Sequence, residues 1–475
     1  MNHEFIEGEK VAATYQKCGL EQYDTNPLIS ALPKILGEAE AAKALVRRGG
    51  YNPRHRQLSD ELRQHSLLPM LQFFQPLSHH IDLEGKISRM IRFGYAARNP
   101  MKQAFYREMR EKADNLQTRN IPATITSSTI LGTSGTGKTT AVNRILDLYP
   151  QVIQHTEFQG KPLNHQQLVW MKLECPFDGS VKGICRQFFE KIDKILGTDY
   201  RLMMNRVPTV DALLPQIAML AGVHTLGVLV IDEIQHLSTS KSGGSGRMLN
   251  FFVELTNTMN VPILLIGTTK AISVISQELR SARRGSGQGE TVWRPMKKDD
   301  EWELFLETLW EYQVTRKEAP LTPELSEALF YECQGITDFA VKLYMLSQIR
   351  AISTGAEKVT PTIISSVAKD SLQTAQPYLQ ALRTGDFRSL PNFEDIIQPL
   401  DYEKLAEQEA RAKRVKFIPQ PTPESRPKPK TAKLMKQIPE GGLIALFQTK
   451  AKKTAHDAFE KAGFIATPSD FQRVA

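Results

Sequence analysis

One eight-residue string constrains this chain more than any other. GTSGTGKT, Gly132–Thr139, fits G-x-x-x-x-G-K-[ST] and lies between an apolar run ending at Ile130-Leu131 and the helical pattern AVNRILDLY. A glycine-rich turn between a buried strand and a helix curls so that its backbone N–H groups point inward, and the helix adds its positive N-terminal end. Such a turn is a cradle for phosphates. Gly132, Thr133, Ser134, Gly135, Thr136 and Gly137 line it, with Thr140 following in the first helical turn. Lys138 is the residue that reaches the β and γ phosphates, and the Thr139 hydroxyl is the one that ligates magnesium.

A magnesium-bound nucleotide also needs a carboxylate at the end of a neighbouring strand. VLVIDE, Val228–Glu233, supplies it about ninety residues later: four apolar residues, then Asp232 and Glu233. Asp232 is expected to hold the metal through water. Glu233 is expected to orient and polarise the attacking water, because phosphoryl transfer depends on positioning and charge stabilisation. The two motifs together indicate hydrolysis of ATP or GTP. A third apolar run, VPILLIGTTK, ends in Thr268, which either sits between metal, water and γ-phosphate or caps the following helix. Downstream, LRSARRGSGQG carries Arg280, Arg283 and Arg284. One of them, with Arg283 the central candidate, is presented to a neighbour's nucleotide, or the cluster contacts DNA phosphates; both readings stand.

The surrounding pattern sets the architecture. From Ala123 to about Arg294, runs that are apolar throughout (TITSSTILG, LVWMKLEC, GVLVIDE, VPILLIGTT) alternate with helical stretches. Strands of that kind are buried on both faces, so the expectation is an α/β fold: a parallel sheet flanked by helices. Residues 1–100 mix short helical patterns with turn signals and hold His55, His65, His79 and His80, read as surface or hydrogen-bonding residues because no spaced cysteines or carboxylates accompany them. Three helical segments between Lys297 and Leu372 predict a small helical lid. Nine basic residues, one acidic residue and five prolines between Arg411 and Lys436 cannot bury enough apolar surface to order themselves. That stretch is expected to tether a final helical segment. The domain reading is therefore 1–100 as an N-terminal partner-binding region, 101–296 as the ATPase core, 297–372 as the lid, 373–440 as a linker, and 441–475 as a C-terminal interacting segment.

Composition excludes other classes. No apolar run approaches the roughly 18 residues a bilayer span needs, and the acidic, polar start MNHEFIEGEK is not a secretory signal. A cytosolic location and no membrane partner are expected. Four scattered cysteines without a CxxC pair argue against disulfides or a zinc ribbon and read as reduced core residues. The net charge of +8 points weakly to a polyanionic partner.

In order, GTSGTGKTTAVNRIL, VLVIDEIQHL and PILLIGTTKA resemble the AAA+ ATPases and, among them, the TnsC family of transposition regulators related to the TniB and IstB helper ATPases. CPFDGSVKGICRQFFEKID, GITDFAVKLYMLSQIRA, NPLISALP and SRMIRFGYAARNP extend the resemblance over about residues 20–370. It implies an AAA+ P-loop sheet with a helical lid and a protein that, with ATP and Mg2+ bound, assembles into rings or filaments on double-stranded DNA in the bacterial cytosol. The implied partners are further copies of the chain, a target selector of the TnsD or TniQ type, and the transposase TnsB, with TnsA where present. Hydrolysis would then disassemble the oligomer.

Lys182 and Arg186, four residues apart on one helical face, are candidates to follow the DNA backbone; a solvated face is the alternative. The chain departs from the wider AAA+ pattern where a lid arginine is expected, since Gly335-Ile336-Thr337-Asp338 stands there. Lys342, one turn later, is the candidate substitute as nucleotide sensor. A replication or repair AAA+ loader, and a nucleotide-gated DNA scaffold without turnover, are the competing readings.

Overall fold

A computed structural model describes residues 7–107, 128–204, 209–239, 261–271 and 290–385. These residues form two compact units. The first draws on Met1–Leu36, Asp82–Thr133 and Lys138–Trp293; the second on Gly37–Ile81, Ser134–Gly137 and Arg294 onward. The stretch 1–100, read above as one region, is thus divided between both units.

The first unit is built on five parallel strands in the order β5-β6-β7-β2-β8: Trp170–Glu174, Val228–Asp232, Ile263–Gly267, Ser128–Gly132 and Glu290–Trp293. Every residue of β2, β6 and β7 is buried, as their unbroken apolar composition requires of central parallel strands. The fold is α/β with a parallel sheet flanked by helices, as expected. The edge strand β8 escapes a search for apolar runs because half of it is polar and Val292 is 46% exposed.

The run LVWMKLEC, expected to be one strand, is two. Leu168 ends β4 (Lys161–Leu168), and Trp170 begins β5. Strand β4 pairs antiparallel with β3 (Val152–Phe158), and β3 pairs parallel with β1 (Lys10–Ala12), giving a second, three-stranded sheet. Its turn, Gln159-Gly160, has φ of 51° and 74°, the left-handed pair that closes a tight hairpin.

Helix Val181–Leu196 shows how sequence sets both faces. Ser180 caps it through a 3.2 Å bond from Gly183 N to its Oγ, and Gly197 ends it in the left-handed conformation. Ile184, Phe188, Ile192 and Ile195 recur at three- and four-residue spacing and are buried, while Lys182, Arg186 and Glu190 lie on the exposed face.

Two strings that carry the family resemblance prove to be staples inside this unit. Asn26 Nδ2 donates to Tyr95 O at 2.8 Å, and Asn99 Nδ2 donates to Thr25 O at 3.0 Å. Arg92, 3% exposed, donates to Pro33 O and to Ser88 Oγ, and Arg98 donates to Leu226 O at 2.7 Å. Buried guanidinium groups survive because backbone carbonyls satisfy them.

The second unit packs helices Asp300–Trp310, Pro323–Cys333, Thr337–Ser353, Pro361–Ser371 and Gln376–Thr384 around Trp302, Phe339, Tyr344 and Tyr378. Leu67, Met70, Phe73 and Leu77 from the N-terminal part of the chain enter the same core. Two of these helices exceed the three segments read from sequence. The last lies in the stretch expected to be linker, yet it buries Tyr378, Leu379 and Ala381. Thr322 and Thr360 each cap a helix whose first residue is proline, a start signal legible in the sequence.

Three of the four cysteines are buried, and Cys18 is exposed. Burial pushes the Cys175, Cys185 and Cys333 thiols up to about 12, so none is a nucleophile at neutral pH. His80 is buried, its Nδ1 accepting from Leu77 N at 2.9 Å. No described helix is long and apolar enough to cross a membrane.

Candidate functional site

Three adjacent parallel strands, β6, β7 and β2, end at Asp232, Gly267 and Gly132, so the residues singled out from sequence converge at one edge of the sheet. Ligands of open α/β sheets bind outside the carboxyl ends of the strands. The loop after β2 takes the curled form its glycines permit: Gly135 and Gly137 have φ of 79° and 81°. Gly135 O accepts from Thr337 Oγ1 at 3.2 Å and from Asp338 N at 3.2 Å, which ties the loop tip to the start of helix Thr337–Ser353. Thr133 N donates to Trp293 O at 3.3 Å, and Thr136 is buried, as is Lys138; Thr140 is exposed.

Lys138 opens helix Lys138–Leu146 and turns back over the loop, its Nζ donating to Gly132 O at 2.9 Å and Thr133 O at 2.7 Å. A primary ammonium held by two neutral carbonyls gains from exchanging them for anionic phosphate oxygens. Thr139 Oγ1 donates to Asp232 Oδ2 at 2.9 Å, bringing both expected metal-site residues together across 93 residues of sequence. Asp232 is 3% exposed; Glu233 beside it is exposed and takes φ of 59°, a conformation that costs a non-glycine residue on the order of 1 kcal/mol. Thr268 Oγ1 is buried without a hydrogen-bond partner among the described residues.

Sequence reasoning missed two residues here. Lys172 on β5 reaches under the site: its Nζ lies 2.9 Å from Asp232 Oδ2 and 3.0 Å from Asn143 Oδ1. Gln235 joins Glu233 to Thr268 through its side-chain amide. An interrupted apolar pattern at position 172 was the signal for the lysine. Gln235 stands two residues past the acidic pair in VIDEIQHL and had none of its own.

Lys342 lies in the second unit, where its Nζ pairs with Asp338 Oδ2 at 2.9 Å. Arg280, Arg283 and Arg284 fall outside the described residues. Lys182 and Arg186 share the exposed face of their helix, and Arg186 Nε is 3.8 Å from Glu190 Oε1, a loose, solvated pair.

Residues 124–275 match the family model described as an AAA domain. This segment is an AAA-type ATPase domain. The matched stretch contains Gly132–Thr139, the acidic pair and Thr268. Among solved structures, the chain is similar to the Orc1 protein of Aeropyrum pernix in complex with DNA, at 17% identity and a TM-score of 0.36, covering 59% of this chain and 68% of that one. It is also similar to a Walker-type ATPase of Pyrococcus abyssi, at 16% identity and 0.35, covering 66% and 84%. A third likeness is to the Drosophila ORC bound to DNA, at 13% identity and 0.30, covering 69% and 84%. No curated protein matches the chain.

Proposed function

We propose that the chain is an ATPase whose nucleotide state governs its assembly on double-stranded DNA, acting as a transposition regulator of the TnsC type. The observation that carries the hydrolytic part is the convergence of Lys138, the Thr139–Asp232 pair, Glu233 and Thr268 at the carboxyl edge of three adjacent strands. A positively curled loop, a buried ammonium and a carboxylate–hydroxyl pair have no shared purpose in a plain turn.

Each residue then has a task. The loop from Gly132 to Gly137 binds the phosphates through backbone N–H groups, and Lys138 shifts from its two carbonyls to the β and γ phosphates. Thr139 and Asp232 are hard oxygen donors that fit Mg2+, with Asp232 acting through water. The metal, when bound, neutralises charge on the phosphate oxygens. Glu233 is solvent-facing, as a residue that orients and polarises a water has to be. Its expenditure of backbone strain supports a functional rather than a packing role. The Thr268 hydroxyl, buried and without a partner among the described residues, is available to the γ-phosphate or to that water.

The finer reading rests on the family strings. In it, Lys182 and Arg186 follow the DNA backbone, an arginine among Arg280, Arg283 and Arg284 completes the neighbour's nucleotide site, and Lys342 senses the nucleotide from the lid. A ring or filament of this chain then links a TnsD- or TniQ-type selector to TnsB, with TnsA where present, in the bacterial cytosol, residues 1–100 serving as a partner-binding region and residues 441–475 engaging the transposase. ATP serves as a timer for assembly.

Glu233→Gln tests the proposal with purified protein, duplex DNA and ATP. Phosphate release is expected to fall about 100-fold or more while ATP binding is kept and the DNA-bound assembly persists. A wild type that releases no phosphate with or without DNA makes the chain a nucleotide-binding scaffold. A Glu233→Gln protein that fails to bind ATP refutes the role given to Glu233.

A further inference from the structure

Gln235 sits on the short 3-10 helix Ile234–Thr239 that follows the acidic pair. Its side-chain amide is used at both ends. Nε2 donates to Glu233 Oε2, and Oε1 accepts from Thr268 N at 3.1 Å. One side chain thus connects the carboxylate after β6 to the first residue after β7.

The backbone is shaped for this bridge. Glu233 N donates to Asp232 Oδ1 at 2.9 Å and Glu233 takes φ of 59°, which reverses the chain sharply enough to bring position 235 back over the strand ends. Across from it, β7 ends in Gly267, where a Cβ would lie 2.5 Å from Ile234 Cγ1 and 3.1 Å from Gln235 Oε1. A Cβ at 267 forces the buried Ile234 side chain to shift and crowds the Gln235 amide oxygen.

We propose that Gln235 is a positioning residue for hydrolysis. It holds the exposed Glu233 carboxylate in register with the end of β7, so that the group polarising the water and the Thr268 hydroxyl keep a fixed separation. An exposed glutamate has three rotatable bonds and samples many rotamers. Pinning one carboxylate oxygen removes most of that freedom before the nucleotide arrives. The inference rests on the ATPase reading of this site.

The test compares full-length wild type with Gln235→Ala and Gln235→Met, the latter keeping the packing of the side-chain stem. The readouts are steady-state phosphate release and the affinity for a fluorescent ATP analogue. For both variants kcat is expected to fall about 100-fold while KM and analogue affinity stay within about twofold of wild type. Gly267→Ala is expected to reproduce the same split. Variants that turn over at the wild-type rate overturn the role of Gln235 alone, and so do variants that lose analogue binding together with kcat, since that marks a structural residue. A wild type that binds the analogue without turnover overturns the ATPase reading, and this role with it.

Discussion

Lys172 Nζ and Thr139 Oγ1 both approach Oδ2 of Asp232 at 2.9 Å, so the carboxylate expected to face the metal already carries a cation beside it. Asp232 has only 4% side-chain exposure and cannot rely on water to offset its charge. Lys172 supplies that offset, and a divalent ion placed there as proposed would compete with it for the same oxygen. Lys172→Met is expected to lower the Mg2+ concentration at half-maximal nucleotide binding several-fold, read from fluorescent-nucleotide titrations. Without Mg2+, the same variant is expected to lose about 3 kcal/mol of stability, because an unpaired buried carboxylate remains.

In the second unit, Arg63 is fully buried and clamps Glu357 through both terminal guanidinium nitrogens, at 2.7 and 2.6 Å, while also holding Asp60 at 2.7 Å and Val314 O at 3.1 Å. Glu357 has 13% side-chain exposure. Arg63→Met is expected to destabilise this unit by about 2 kcal/mol, since Glu357 loses its two-pronged partner and, among the described residues, keeps only Arg316 beside it. Arg56→Met, which breaks a pair with a Glu318 that is 66% exposed, is expected to leave stability much closer to wild type. Chemical denaturation of the two variants separates the cases.

Burial lowers the His165 and His224 side chains to about 4 from the ordinary 6.5. Their neutral rings bond Thr225 Oγ1 at 2.8 Å and Tyr200 OH at 3.0 Å. Below pH 6.5 the unfolded chain takes up protons that the folded chain refuses, so stability is complete above 6.5 and falls as pH drops toward 4. Scanning calorimetry between pH 7 and 4 is expected to show Tm falling through this window, and His165→Gln to flatten the slope. A Tm independent of pH there contradicts the neutral state of both rings.

If Lys182 and Arg186 follow a DNA backbone, each contributes about one released counterion. The double variant Lys182→Ala/Arg186→Ala is expected to weaken DNA binding equally for all sequences and to reduce the slope of log affinity against log salt by about 2. Fluorescence anisotropy at several salt concentrations measures it. An unchanged slope returns this face to solvent.

Much of the candidate site's local geometry was legible because it is set by local pattern. The order of glycines sets the loop, and an acidic pair closing an apolar run sets the second strand; those patterns hold whatever surrounds them. Lys172 and Gln235 were not legible in the same way. Each acts through a partner on another strand, and only sheet order places position 172 beside Asp232 or brings Thr268 back to Gln235. The hairpin of β3 and β4 was hidden for a related reason: its inward positions include His155 and Gln167, polar residues that bond each other at 2.8 Å and so escape a search for apolar alternation.

The sequence alone determined that a strand, a glycine-rich turn and a helix occur in that order and that an acidic pair ends a second buried strand, since these follow from backbone sterics and from burial of apolar runs. The tertiary structure decided which residues those groups meet. It divided the first hundred residues between two units, made Arg92 and Arg98 staples rather than surface charges, and set Lys172 against the Asp232 carboxylate. Contacts across many residues depend on strand order and register, which no local pattern encodes.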